Sequence, residues 1–271
     1  MCRSTASPSG TSITRGTLTL LRRTNLRVAR SRRIHHMIRA VVFDLDNTLV
    51  DFMKMKDRAV DAAAWAMVDA GLQMTPEDVK RGIYDQYDKY GIESQDVFDK
   101  YLTEILGEID YRVLAAGIIA YRKAREASLQ PYPHVRIIIA KLLRRGVKLA
   151  VLSDAPRREA WLRLCQLGLH HEFDVVVTYE DTGYRKPHPE PFARVIDMLG
   201  IAPREAVMVG DWPERDVAGA KVAGLWTVWA KYGSVHAVET TNADYEIESV
   251  DEIVDVIDAI DARMASNTSE P

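Results

Sequence analysis

Two aspartates that follow a short apolar run, Asp44 and Asp46 in Val41-Val42-Phe43-Asp44-Leu45-Asp46-Asn47-Thr48, are the residues of this chain best placed for chemistry. Side chains two apart on an extended segment point the same way, so both carboxylates can look into one crevice. Two carboxylates so close repel each other unless a cation lies between them, and a hard divalent ion such as Mg²⁺ suits oxygen donors. Taken alone, Asp-x-Asp at the end of an apolar run is an ordinary strand exit into a turn. Three further sets change its meaning: Ser153-Asp154, Lys186-Pro187, and Gly210-Asp211 with Asp216 five residues on.

The elements that must position these sets follow from periodicity and punctuation. Val41 to Phe43 are apolar on both faces, as in a central strand covered on both sides. From Val135 onward, helices ending at Gly146, Gly168, Gly200 and Gly224 alternate with strands Lys148 to Leu152, Val175 to Thr178, Ala206 to Val209 and Trp226 to Trp229. A short strand over Tyr245 to Ile247 and a last helix opened by Ser249 and Glu252 at capping-box spacing complete the pattern. Alternating strands and helices imply an α/β fold: a Rossmann-like parallel sheet with helices on both faces. Each of the four sets then falls at the carboxyl end of a strand, where open α/β sheets place their ligands.

Between the first strand and this alternation the chain reads as helical. Thr75-Pro76-Glu77-Asp78 supplies an N-cap, a first-turn proline and acids suited to the helix dipole, Gly71 is a C-cap candidate, and Pro131 and Pro133 mark the return. The expected organisation is a core from residues 37–52 and 129–265, a helical cap domain over 53–128 inserted after the first strand, and a polar tail over 266–271.

Asp44-x-Asp46-x-Thr48, Ser153, Lys186-Pro187 and Gly210-Asp211 with Asp216, in this order, resemble the motifs of the haloacid dehalogenase superfamily, in particular its phosphatases with a helical cap. Residues Met37 to Val50 and Leu152 to Arg157 are similar to a set of archaeal and bacterial phosphatases, some associated with glyceraldehyde 3-phosphate. The resemblance implies that Asp44 is the nucleophile and forms an aspartyl-phosphate, while Asp46 acts as general acid and then general base. It implies that Thr48 and Ser153 hydrogen-bond phosphoryl oxygens and that Lys186 neutralises charge between nucleophile and phosphate. Mg²⁺ would be held by the Asp44 carboxylate, the Asp46 carbonyl and the Asp211 carboxylate, with Asp216 acting through water or by fixing Lys186. Asp154 stands where many relatives carry Asn; its carboxylate is expected to turn away from the phosphate and leave the backbone N–H to bind.

The chemistry agrees on its own terms. A phosphomonoester dianion and an Asp nucleophile repel each other, so such a site needs a metal and a fixed cation. The implied function is a Mg²⁺-dependent phosphatase acting on a small phosphorylated metabolite: glyceraldehyde 3-phosphate, phosphoglycolate, or another sugar or nucleoside monophosphate. A 2-haloacid dehalogenase needs neither the metal nor Asp46. A phosphosugar mutase shares the core, and a silent binding module would have lost one of Asp44, Asp46, Lys186 or Asp211. Substrate contacts from the insert are sought among Phe52, Lys54 and Lys56 near its start and Tyr84, Tyr87, Lys89 and Tyr90 within it; Trp212 and Pro213 are expected to shape the metal loop.

Composition sets the remaining expectations. Residues 1–36 carry eight arginines and no acid, which leaves the rest of the chain with 28 basic and 39 acidic residues, a formal net of −11. Such a body repels nucleic acid. The basic extension, expected to be disordered, reads as a transit peptide, a nucleic-acid-binding arm or, as the favoured expectation, sequence upstream of a start at Met37. No apolar run approaches the roughly 20 residues that span a bilayer, so no membrane partner is expected. With only Cys2 and Cys165, a reducing, cytoplasmic setting fits. An apolar face on the insert could serve a homodimer.

Overall fold

The computed structural model describes residues 37–235, 238 and 240–267; the extension 1–36 lies outside the described residues. The chain enters through β1 (Ala40–Phe43) and then passes through four helices, α1 (Phe52–Asp69), α2 (Pro76–Tyr90), α3 (Val97–Leu106) and α4 (Tyr111–Ser128). It returns through α5 (Val135–Arg144), β2 (Lys148–Leu152), α6 (Arg157–Gln166), β3 (Val175–Val177), α7 (Tyr179–Thr182) and α8 (Pro189–Leu199). β4 (Ala206–Gly210), α9 (Ala218–Val222), β5 (Trp226–Ala230), β6 (Tyr245–Ile247) and α10 (Ile253–Asn267) follow. The six strands form one parallel sheet in the order β3-β2-β1-β4-β5-β6. β1 is central, as its apolar residues on both faces require.

Alternation along β1 divides the core into two layers. Val41 and Phe43 pack with Ile138, Leu142, Leu164 and Ile257 from α5, α6 and α10, while Ala40 and Val42 pack with Phe192, Val195 and Ala220 from α8 and α9. The helices are written for this. Val135, Ile138, Ile139 and Leu142 line one stripe of α5, and Phe192, Val195, Ile196 and Leu199 one stripe of α8, each at the spacing of a single helix face. The reversal of strand order between β1 and β4 opens a crevice at their carboxyl ends.

Most boundaries read from the sequence hold to within a residue or two. Thr75 caps α2 by accepting from Asp78 N, and Ser249 with Glu252 forms the capping box before α10. Four details differ. The C-cap of α1 is Ala70, with Gly71 next at φ +111°. α7 is not read from the sequence: four residues are too short to show a period, although Thr178 and Asp181 form a capping box at its start. A wide π turn over Pro213–Val217 precedes α9, so the helix expected before Gly224 is short. α10 also runs through Ser266 and Asn267, the start of the expected tail.

The helical insertion has its own core, in which Val60, Met67, Ile83, Phe98, Leu102 and Val113 are buried. Helices approach closely at Gly117 on α4, where a Cβ would lie 2.3 Å from the Met67 Cε of α1. Gly117 is therefore a packing residue: it lets α1 and α4 run side by side. Gly117→Leu is expected to lower stability by about 1–3 kcal/mol through overpacking, read as a shifted urea midpoint with the slope unchanged.

Candidate active site

Every strand-end set assembles at the carboxyl edge of the sheet, and the geometry starts from β1. Asp44 N donates to Val209 O at 2.9 Å, so the ladder between β1 and β4 still holds the chain where the first carboxylate emerges. The chain then turns sharply. Asn47 adopts φ +59° and its Oδ1 accepts from Met53 N at 3.1 Å, tying the turn to the first residues of α1. Gly233 backs the same turn: a Cβ there would stand 1.5 Å from Asn47 O, so only glycine allows this approach. Tyr232 adds a hydrogen bond from its hydroxyl to Thr48 O at 2.8 Å.

Lys186 is the centre of charge. Its ammonium, buried with only 5% of the residue exposed, lies 2.5 Å from Asp44 Oδ1 and 2.7 Å from Asp216 Oδ1 and donates to Leu152 O at 3.0 Å. Asp216 is held from its other oxygen by Trp212 N at 3.0 Å. Gly210 makes room for it, since a Cβ at that position would meet the Asp216 carboxyl at 2.3 Å. Trp229 Nε1 donates to Asp211 O at 3.0 Å and fixes the loop from the β5 side.

Asp44, Asp211 and Asp216 each offer a carboxylate oxygen within 4.8 Å of the others, and all three residues are buried. Thr48 Oγ1 donates to Asp211 Oδ1 at 3.3 Å, yet among the described residues no cation lies within ion-pairing distance of Asp211. Burial, with the neighbouring Asp44 and Asp216 charges, pushes the Asp211 carboxyl up to about 9. Burial also pushes Asp44 up to about 8, against the opposing pull of Lys186. Three buried carboxylates facing one ammonium leave negative charge uncompensated, and an all-oxygen donor set is the kind that takes a hard cation. The residues therefore fit a divalent metal.

Asp46 lies apart from this cluster. Its Oδ2 accepts from Arg163 Nη1 at 2.9 Å, while its Oδ1 is buried with no hydrogen-bond partner. Removal from water raises the Asp46 carboxyl to about 6, with Arg163 opposing the rise. Arg163, on α6, reaches with its other nitrogen to Glu93 Oε1 of the insertion at 2.5 Å and lies over the Phe52 ring at 4.6 Å. Neither Arg163 nor Glu93 was singled out from the sequence. Arg163 sits among other charged residues of α6 and Glu93 in a polar loop, and nothing local distinguishes them from solvated positions.

Ser153 Oγ accepts from Ala155 N at 3.1 Å, and Ser153 N continues the ladder to Val177 O. The Asp154 carboxylate accepts from Lys186 N at 2.9 Å and from Arg215 Nη1 at 3.3 Å, so it braces the lysine loop. Of the insertion residues named above, Phe52, Lys56 and Tyr87 line a cavity of about 460 Å³ beside Arg163. Lys54, Tyr84, Lys89 and Tyr90 do not: Lys54 pairs with Asp51, Lys89 with Glu104, Tyr84 with Asp57, and Tyr90 with Lys100.

Residues 38–224 match the family described as haloacid dehalogenase-like hydrolase. The chain belongs to this family. It is similar to a glyceraldehyde 3-phosphate phosphatase of Methanopyrus kandleri, 35% identical over 77% of this chain and 90% of the relative. It is also similar to a phosphoglycolate phosphatase of Rhodospirillum rubrum, 32% identical over 73% of this chain and 81% of the relative. Among solved structures, a HAD phosphatase from Thermococcus onnurineus matches with a TM-score of 0.57 and 27% identity, covering 81% of this chain and 97% of that one. Among the described residues no helix is long and apolar enough to cross a membrane.

The raised carboxyls give a signed prediction. Asp44 and Asp211 hold protons in the metal-free folded state that the unfolded chain releases near pH 4, so the stability they contribute falls as pH rises from about 4 towards 8 and 9. Thermal unfolding in EDTA is expected to fall over that range more steeply for the unaltered chain than for Asp211→Asn. Added divalent metal is expected to raise the midpoint more at pH 8 than at pH 5, because binding displaces those protons.

Proposed function

We propose that this protein is a Mg²⁺-dependent phosphatase that hydrolyses a small phosphomonoester through an aspartyl-phosphate on Asp44. The observation that carries this reading is the buried Asp44–Lys186–Asp216 chain beside Asp211. The Asp44 carboxylate lies against a fixed cation, which supports the reading because a phosphate dianion meeting a carboxylate nucleophile requires such a pairing. Asp44 attacks phosphorus, the P–O bond to the alcohol breaks, and Asp46 delivers a proton to the departing oxygen. Asp46 then takes a proton from water as it attacks the phosphoryl group on Asp44, returning both carboxylates to their starting states. A carboxyl titrating near 6 is suited to both transfers. Lys186 stabilises charge on the phosphoryl oxygens, Asp216 and Asp154 hold Lys186, and Thr48, Ser153 and the Asp154 N–H bind phosphate.

The Asp44 and Asp211 carboxylates with the Asp46 carbonyl would hold the Mg²⁺, which supplies charge neutralisation of the phosphate when bound. Both Asp216 oxygens are engaged by Lys186 and Trp212, which favours a positioning role for that residue. Residues 53–128 act as the cap over this edge, excluding water and meeting the alcohol portion. The names carried by the two relatives make glyceraldehyde 3-phosphate and phosphoglycolate the first substrates to try.

The test is phosphate release from a panel of phosphomonoesters with and without Mg²⁺. Metal-dependent release that falls by about 10³-fold or more in Asp44→Asn is expected; metal-independent release, or an active Asp44→Asn, sinks the reading. Because Arg163 lowers the Asp46 carboxyl, Arg163→Met is expected to move the Asp46 limb of the pH–rate profile to higher pH.

A further inference from the structure

The cavity beside Arg163 lies between α1 and α4 of the insertion and α6 of the sheet layer. Its most unusual occupant is Lys56. This lysine is only 4% exposed, and among the described residues no carboxylate lies within ion-pairing distance of it. Its ammonium donates to Tyr121 Oη at 3.0 Å and lies 4.1 Å from the centre of the Tyr87 ring and 5.9 Å from that of Phe52. Burial and the nearby Tyr121 raise the Tyr87 phenol, so it stays neutral. Aromatic faces and one neutral hydroxyl are poor replacements for water around an ammonium, and a lysine so deeply buried is ordinarily paired with an anion.

The rest of the cavity wall does not supply that anion. Five cationic residues line it against three carboxylates. Glu159 is engaged by Arg125 and Arg158, each at 3.3 Å, and Glu93 is taken by Arg163. The third, Glu126, is on the exposed side of α4. Lys56 therefore faces a cavity with an excess of positive charge, in a chain whose formal net charge is −3. Arg163 lines the cavity and also contacts Asp46, so the space lies one side chain away from the group assigned to protonate the leaving alcohol.

We infer that Lys56 is the recognition residue for a carboxylate carried by the leaving alcohol, which makes the preferred substrate a short phosphorylated hydroxy acid. This rests on the phosphatase reading above. In that complex the substrate carboxylate takes the place of the missing counter-ion, held by the Lys56 ammonium with Tyr121 alongside, while the phosphate lies at Asp44 and Lys186. The aromatic wall of Phe52 and Tyr87 excludes water from the ion pair and strengthens it.

The test compares two esters of matching size that differ in charge, 2-phosphoglycolate and 2-hydroxyethyl phosphate, with the full chain and Mg²⁺; p-nitrophenyl phosphate reports on phosphatase activity in general. The unaltered protein is expected to favour 2-phosphoglycolate in kcat/KM by about tenfold or more, the size of one charge-assisted hydrogen bond. In Lys56→Met that preference is expected to collapse through a rise in KM for the carboxylate ester, and Lys56→Arg is expected to restore much of it. Equal or greater activity of the unaltered protein on 2-hydroxyethyl phosphate overturns the inference even if Lys56→Met does not fold. So does an equal proportional loss on both esters in a folded Lys56→Met. Turnover of p-nitrophenyl phosphate without a carboxylate preference overturns the inference alone, and absence of turnover on all three overturns the phosphatase reading and the inference together.

Discussion

The structure depends on one electrostatic constraint: Asp44, Asp211 and Asp216 converge at a buried point where Lys186 is the sole cation among the described residues within ion-pairing distance of them. Buried carboxylates are costly unless paired, and the pairing here is incomplete by design of the residue types. Burial, with the repulsion between neighbouring carboxylates added to it, raises the carboxyls of Asp44 and Asp211, and the excess of acid suits the site to a hard cation. Much of the surrounding architecture holds this arrangement against its own repulsion. Trp212 N restrains Asp216, Leu152 O and the Asp154 carboxylate restrain the Lys186 segment, and Trp229 restrains Asp211.

Two glycines carry the steric side of the same constraint. Gly210 leaves space for the Asp216 carboxyl to fold back over the end of β4, and Gly233 lets a loop after β5 rest on the carbonyl of Asn47. The turn that aims Asp46 is thus clamped from behind by a segment nearly two hundred residues later in the chain. A rigid clamp of this kind keeps the Asp44 and Asp46 carboxyls in fixed relation.

Charge is partitioned between the sheet edge and the cavity beside Arg163. At the sheet edge carboxylates predominate; in the adjoining cavity cations do. Arg163 stands at the boundary, bound to Asp46 on one side and Glu93 on the other, and its guanidinium lies against the Phe52 ring. A single residue of α6 therefore links the Asp46 carboxyl to the insertion, so the position of the insertion and the environment of Asp46 are physically coupled.

The sequence by itself determined the parallel α/β core, because strand and helix periods, glycine stops and capping residues are local signals and all agree. It also determined which groups meet at the sheet edge: strand ends in a parallel sheet share one side, so Asp44, Ser153, Lys186 and Asp211 could be brought together from order alone. The tertiary structure decided what each group touches. That Asp154 braces the Lys186 loop, that Arg163 and Glu93 join Asp46, and that Lys56 is buried without a counter-ion while Lys54 is exposed beside Asp51 are not readable locally. A charged residue on a helix carries the same local signal whether it faces water or a cavity; only the packing of α1, α4 and α6 against one another distinguishes the two.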